Sequence, residues 1–198
     1  VTDMHGMPEY FGTGETKDGE GSAEAIEKTV LDRTADWPRS AILAAAGPIT
    51  NDGLDLTNSP WNIRPAPLIE AISVDDLLLL NDFEAQALAI TSLGEDDMLQ
   101  IGGGTRHDEK NAVVLGPGTG LGVAGLVHAA GTWIPVAGEG GHVDLGPRSG
   151  DERRIWDHLE AVDGRISAEQ LISGGGICNI YQAIEKSSGE AGGIAADK

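Results

Sequence analysis

At 198 residues the chain has the length of one domain or two small ones, and with 40% hydrophobic but only 4% aromatic residues its core must be built from Leu, Ile, Val and Ala. Thirteen basic against 32 acidic residues leave a net charge of −19, a field that repels phosphate backbones and anionic headgroups and argues against nucleic-acid or membrane partners. The one cysteine, Cys178, excludes an internal disulfide and a cysteine-rich zinc site, and fits a cytoplasmic setting. Val1-Thr2-Asp3-Met4-His5 has no signal-peptide pattern, and residues 1–21 read as loop. Ser22 is expected to cap a helix running to about Asp32, with Ala23, Ile26 and Val30 on one face. Residues 40–46 form a continuous apolar run stopped by Gly47-Pro48 and predict a buried strand. Asn51-Asp52-Gly53 is a turn followed by Leu54 and Leu56 in alternation, and a short helix is expected over 68–72. Leu77-Leu78-Leu79-Leu80 lacks alternation, as does a parallel strand covered on both faces.

A helix with Phe83, Ala87 and Ile90 inward follows Asn81-Asp82, and residues 94–111 read as a connector between lobes. A strand is expected at 112–115, a glycine loop at 116–120, then a hairpin of 121–128 and 132–137. The uncharged stretch 111–138 is long enough for a membrane span, but its glycines and Pro117 break it into strands and turns. Helices are expected at 151–162, 168–172 and 177–184, the second opened by a capping box, Ser167-x-x-Gln170. The mixture is α/β.

Three places carry residues suited to chemistry. Asp82 stands where a strand gives way to a helix, the position at which open α/β sheets hold ligands. Its carboxylate suits a general base taking a proton from an alcohol, and equally Asn81 or Asp82 suits a helix N-cap. Gly116-Pro117-Gly118-Thr119-Gly120 suits an anion cradle of backbone N–H groups with the Thr119 hydroxyl, or a tight turn between strands. No Lys follows, so it is not a Walker A loop. Gly120-x-Gly122-x-x-Gly125 matches the dinucleotide fingerprint by letter, yet the Gly131 turn comes too soon for the helix which that fold requires. In Gly138-Glu139-Gly140-Gly141-His142-Val143-Asp144, the carboxylate and imidazole could grip sugar hydroxyls, ligate a metal, or simply be solvated on a loop. Glu169 lies at a helix start, where its charge suits the macrodipole; His107, His128 and His158 are isolated.

Taken together these segments resemble the bacterial glucokinase family of the hexokinase and actin-like ATPase superfamily. The matching stretches are Ala44-Ala45-Ala46-Gly47-Pro48-Ile49, Thr57-Asn58-Ser59-Pro60-Trp61, Asn81-Asp82-Phe83-Glu84-Ala85 and Gly116-Pro117-Gly118-Thr119-Gly120-Leu121-Gly122. Gly138-Glu139-Gly140-Gly141-His142-Val143-Asp144 and Ile166-Ser167-Ala168-Glu169-Gln170-Leu171-Ile172-Ser173-Gly174 continue the series in the same order and spacing. The resemblance implies a two-lobed actin-like ATPase fold of the ribonuclease H-like type, with residues 1–93 in a partial small lobe and 94–198 in a partial large one. It implies ATP-dependent phosphorylation of glucose at the 6-hydroxyl, with ATP and Mg2+. It makes Asp82 the catalytic base and Asn81, Glu139, His142 and Glu169 the sugar partners. Gly116, Gly118, Thr119 and Gly120 would form the second phosphate loop, and relatives suggest a homodimer.

The family's opening Asp-x-Gly-Gly-Thr loop occurs nowhere in this sequence, nor does its C-terminal adenosine-side portion, so the fold is expected to be incomplete at both ends. Two other function classes stay open on the residues alone. One is a sugar-binding module without turnover; the other is a metal-dependent hydrolase using Glu139, His142 and Asp144.

Overall fold

The computed structural model describes residues 21–29, 38–50, 52–56 and 61–189. The expected loop over residues 1–20, the end of the first helix, Asn51 and Thr57-Asn58-Ser59-Pro60 lie outside them. The chain divides into two compact units, Val1–Ala85 and Gln86–Lys198. No helix among the described residues is long and apolar enough to cross a membrane.

In the first unit, α1 (Ser22–Thr29) begins one residue earlier than expected: the Gly21 carbonyl accepts its first bond, from the Ala25 N–H, so Ser22 is already helical. Strand β1 (Ser40–Ala45) pairs in parallel with β5 (Asp76–Asn81), Ile42 opposite Leu78 and Ala45 opposite Asn81. Between them lie the short antiparallel strands β2 (Ile49–Thr50), β3 (Gly53–Asp55) and β4 (Asn62–Ile63). Helix α2 (Pro65–Ile72) follows, with a proline in its first turn, where the missing N–H costs nothing. Leu54, Ile63, Leu68, Ile72 and Val74 form the core, and Ala41, Leu43, Leu77 and Leu79 of the parallel pair pack on it. The expectations of a buried strand at 40–46 and of a strand at 77–80 covered on both faces are corrected. Their side chains alternate, and Ile42 and Leu78 on the opposite face are 66% and 50% exposed, because nothing among the described residues covers that side.

Helix α3 (Asp82–Ala89) buries Ala87 and leads through single 3-10 turns into an exposed stretch that runs to residue 111. The second unit is built on an antiparallel meander, β6 (Ala112–Pro117), β7 (Leu121–Ala129) and β8 (Thr132–Gly138). The central β7 supplies the buried Leu121, Ala124 and Leu126. Its strand conformation from Leu121 through Gly125 bears out the rejection of a dinucleotide helix there. Helices α4 (Gly150–Trp156) and α5 (Gly174–Ser188) complete the unit.

Three expected helices are corrected here. That over 151–162 stops at Trp156, where the N–H groups of His158 and Leu159 turn back by three residues to Ile155 and Trp156; beyond it Asp163 and Gly164, both at positive φ, make a two-residue turn that bonds Val162 to Arg165 in both directions. That over 168–172 is a single turn: Ser167 and Gln170 form the expected capping box, but Ser173, directly after Ile172, is extended and caps the next helix. The last begins at Gly174, three residues before Ile177, because Gly176 packs so closely on the Leu171 backbone that a Cβ would collide with it.

Candidate active site

Asp82 is the first residue of α3, just beyond the carboxyl ends of the parallel strands β1 and β5. The capping role falls to Asn81. Its Oδ1 accepts the Phe83 N–H at 2.9 Å, its own N–H donates to Glu84 Oε2 at 2.9 Å, and its Nδ2 donates to the Gly47 carbonyl at 3.3 Å. This closed box anchors the strand-to-helix corner to the end of β1. Asp82 Oδ1 shares the Phe83 N–H at 3.0 Å, and Oδ2 has no partner among the described residues. Asp82 thus stands at the positive end of the helix dipole with Oδ2 open to accept a hydrogen bond.

The other predicted residues lie in the second unit. Gly116 and Pro117 belong to β6, opposite Gly122 and Leu121, so the glycine loop is only Gly118, Thr119 and Gly120. The Gly118 N–H is spent inside the turn on the Gly120 carbonyl, at 2.8 Å. Among the described residues the N–H groups of Thr119 and Gly120 and the Thr119 hydroxyl bond to nothing, leaving three donors at the turn. The Gly118 carbonyl in turn accepts the Gly174 N–H at 2.8 Å, which ties the turn to the start of α5, where the buried Ser173 hydroxyl caps the helix by accepting the Gly176 N–H at 3.0 Å.

Glu139, immediately after β8, heads a single 3-10 turn, Gly140–His142. The two glycines are required by closeness rather than by torsion. A Cβ on Gly140 would stand 2.8 Å from Val123 Cγ1, and one on Gly141 would strike the Leu121 carbonyl. Pressed onto β7 in this way, the turn projects Glu139 and His142 outward, Oε2 to Nε2 3.7 Å apart, with side chains 82% and 51% exposed. The segment beyond it then runs beside the one that carries Glu169. Leu145 donates to the Ile166 carbonyl, Ala168 to Val143 and Glu169 to Gly141, at 2.9, 2.9 and 2.8 Å. Glu139, His142, Glu169 and the Gly118–Gly120 turn are thus held on one framework.

Asp144 is drawn elsewhere, its Oδ1 accepting from Arg165 at 3.0 Å. No group of three or more His, Cys, Asp or Glu among the described residues could hold a metal ion, so the hydrolase reading loses its third ligand. A cavity of about 640 Å3 in the same unit is lined by Met98, Arg106, Lys110, Leu126 and Trp133 and by none of the predicted site residues. Sequence reasoning missed two supports of the glycine turn: the cap at Ser173, which Ser-Gly-Gly-Gly before an apolar run could have signalled, and the bond from Leu121 to Glu169, which no local pattern announces.

The family model described as Glucokinase matches residues 2–196. The glucokinase of Rhizobium etli is 53% identical over 184 residues, covering 93% of this chain and 54% of the relative. That of Rhizobium meliloti is 50% identical over 195 residues, covering 98% and 58%. Among solved structures, a glucokinase from an Antarctic psychrotroph superposes with a TM-score of 0.79 at 30% identity, over 88% of this chain and 54% of that one. A glucokinase from Balamuthia mandrillaris, solved with glucose, shares the fold at 22% identity and a TM-score of 0.56. The chain spans about half the length of the curated relatives it matches. With a match along nearly its whole length and the same mixed α/β fold, the chain belongs to the glucokinase family.

Proposed function

We propose that this family member transfers the γ-phosphoryl group of ATP to the 6-hydroxyl of D-glucose, giving glucose 6-phosphate and ADP. Asp82 takes the hydroxyl proton as O6 attacks the γ-phosphorus and the bond to the β-phosphate oxygen breaks. Asn81, Glu139, His142 and Glu169 accept from and donate to the sugar hydroxyls, and Gly116, Gly118, Thr119 and Gly120 form the loop under the phosphates. In that loop the donors are the free N–H groups of Thr119 and Gly120 and the Thr119 hydroxyl, while Gly116 fixes its hinge in β6. Phosphoryl transfer asks a protein mainly for alignment and charge stabilisation, which neutral donors provide without a basic patch. The observation that most supports this reading is the pairing of residues 141–145 with 166–169, which carries three sugar-gripping side chains and the glycine turn on one framework.

Mg2+ is proposed to travel with the nucleotide. The described residues offer no carboxylate cage, and Mg2+ commonly keeps water and phosphate oxygens as ligands; when bound it would offset charge on the β- and γ-phosphates. We assign residues 1–93 to the small lobe and 94–198 to the large lobe, and the whole to the cytoplasm as a homodimer without nucleic-acid or membrane partners. The net charge of −19 supports the last point.

Asp82→Asn tests the assignment. General-base catalysis is worth about 10²- to 10⁴-fold, so ADP formation in a coupled assay should fall by that factor while calorimetry shows glucose affinity nearly unchanged. An Asn variant as active as the unmutated chain removes Asp82 from the mechanism. Because the chain spans about half of its relatives, a second reading is glucose binding without turnover. Glucose bound in calorimetry by the unmutated chain, with no ADP formed, identifies it.

A further inference from the structure

We propose that Glu169, besides facing the sugar, is a positioning residue for the phosphate-binding turn, clipping the point at which that turn rejoins the sheet. The role of the turn rests on the kinase reading above; the clip itself does not.

The last rung between β6 and β7 pairs Pro117 with Leu121. The Leu121 N–H donates to a side chain 48 residues away, reaching Glu169 Oε2 at 2.9 Å. A carboxylate accepting a backbone N–H makes a charge-assisted bond, roughly twice as strong as a neutral one. The same carboxylate lies flat on Gly120, where a Cβ would stand 2.5 Å from Oε2 and 3.2 Å from Cδ. A side chain on Gly120, whose φ is not positive, would therefore have to displace the Glu169 carboxylate. On the other side of Leu121, Gly141 presses against the Leu121 carbonyl, and the Gly141 carbonyl holds the Glu169 N–H at 2.8 Å. Backbone and side chain of Glu169 thus close a loop around the start of β7.

Only Gly118, Thr119 and Gly120 separate the two strands, so fixing the Leu121 amide fixes one end of the turn that carries the free donors. Its other end is fixed through the Gly174 N–H on the Gly118 carbonyl. Oε1 of Glu169 has no partner among the described residues and is left for a sugar hydroxyl. One carboxylate then serves both substrates, and its loss must weaken nucleotide binding as well as glucose binding.

Two measurements on the chain decide this. Leu121 amide exchange, read by NMR without ligand, should speed up about tenfold or more in Glu169→Ala, because a hydrogen bond to a charged group is lost. It should stay near the unmutated rate in Glu169→Gln, whose carbonyl oxygen can still accept. Calorimetry with Mg-ADP should show the same order: affinity about tenfold weaker in the Ala variant and restored in the Gln variant, with glucose affinity reduced in both. Exchange at Leu121 unchanged in a folded Ala variant overturns the clip, and so does nucleotide affinity that stays constant while exchange rises. Should the Ala variant fail to fold, Glu169→Asp, one methylene too short to reach Leu121, replaces it with the same expectations. A chain that binds neither ADP nor glucose counts against the kinase reading, and the exchange rates still decide the clip.

Discussion

Two turns in the second unit solve one geometric problem with different residues. Val162 and Arg165 are joined by Asp163 and Gly164 at φ of 52° and 76°, while Ala129 and Thr132 are joined by Ala130 and Gly131 at 51° and 75°. A two-residue hairpin of type I′ needs positive φ at both positions, which suits Asp-Gly and Asn-Gly. Ala130 has a Cβ and no side-chain polar group to offset the strain, a cost of roughly 1–2 kcal/mol for a left-handed alanine. Ala130→Asn should therefore stabilise the fold by about 1 kcal/mol, raising the thermal midpoint by about 2–4 °C in a chain of this size. Ala130→Gly should gain less, since glycine gives back about 0.5–1 kcal/mol in chain entropy. A midpoint that falls in both variants would mean that Ala130 is not left-handed.

Helix α4 shows what an element owes to its ends. It has seven residues, none buried, so its N-terminal box carries much of its stability. Ser149 Oγ accepts the Glu152 N–H at 3.0 Å, and Glu152 Oε2 accepts the N–H groups of Arg148 and Ser149. Those two backbone donors, Arg148 first, lower the Glu152 carboxyl below its ordinary 4.5. A depressed folded-state pKa stabilises the fold above the unfolded value and loses that contribution as pH falls through the folded one. The helix should thus weaken only below about pH 4.5, and Glu152→Gln should flatten that part of the stability profile. Ser149→Ala should cost about 0.5–2 kcal/mol at neutral pH in denaturant titrations. A profile with the same acid limb in the Gln variant would leave the box no part in it. Nothing in this helix's apolar pattern marks its end at Trp156: Ile155, Leu159 and Val162 keep the helical spacing and extend the expected helix to 162, while the N–H groups of His158 and Leu159 already turn back by three residues. The glycines opening α5 misled in the opposite sense, since each weakens a helix by about 1 kcal/mol in isolation, yet Gly176 is demanded by Leu171.

Across the whole molecule, local patterns gave the elements and their order, whereas the site became legible only through resemblance. Asn81 and Asp82 share one corner, and sequence reading left the capping role open between them; only the bonds of Asn81 to Glu84 and Gly47 decide it. Burial was the least legible property, because an apolar run states what could be covered and not what covers it. Val113 and Leu115 of β6 are 66% and 64% exposed, and Val136 of β8 shares their face across Gly125 at 47%. Together with Ile42 and Leu78 they give a chain of charge −19 apolar faces open to water. Contiguous patches of that kind are uncommon on soluble monomers and bind apolar probes. A neutral solvatochromic dye, which the negative field does not repel, should therefore fluoresce with the native chain. Val113→Thr with Leu115→Thr should cut that signal by about half, since threonine keeps the strand preference and adds a hydroxyl. Exposed side chains contribute within about 0.5 kcal/mol each, so the midpoint should move by no more than a few degrees. A much larger fall, with no change in dye signal, would mean that this face of the meander is covered in solution.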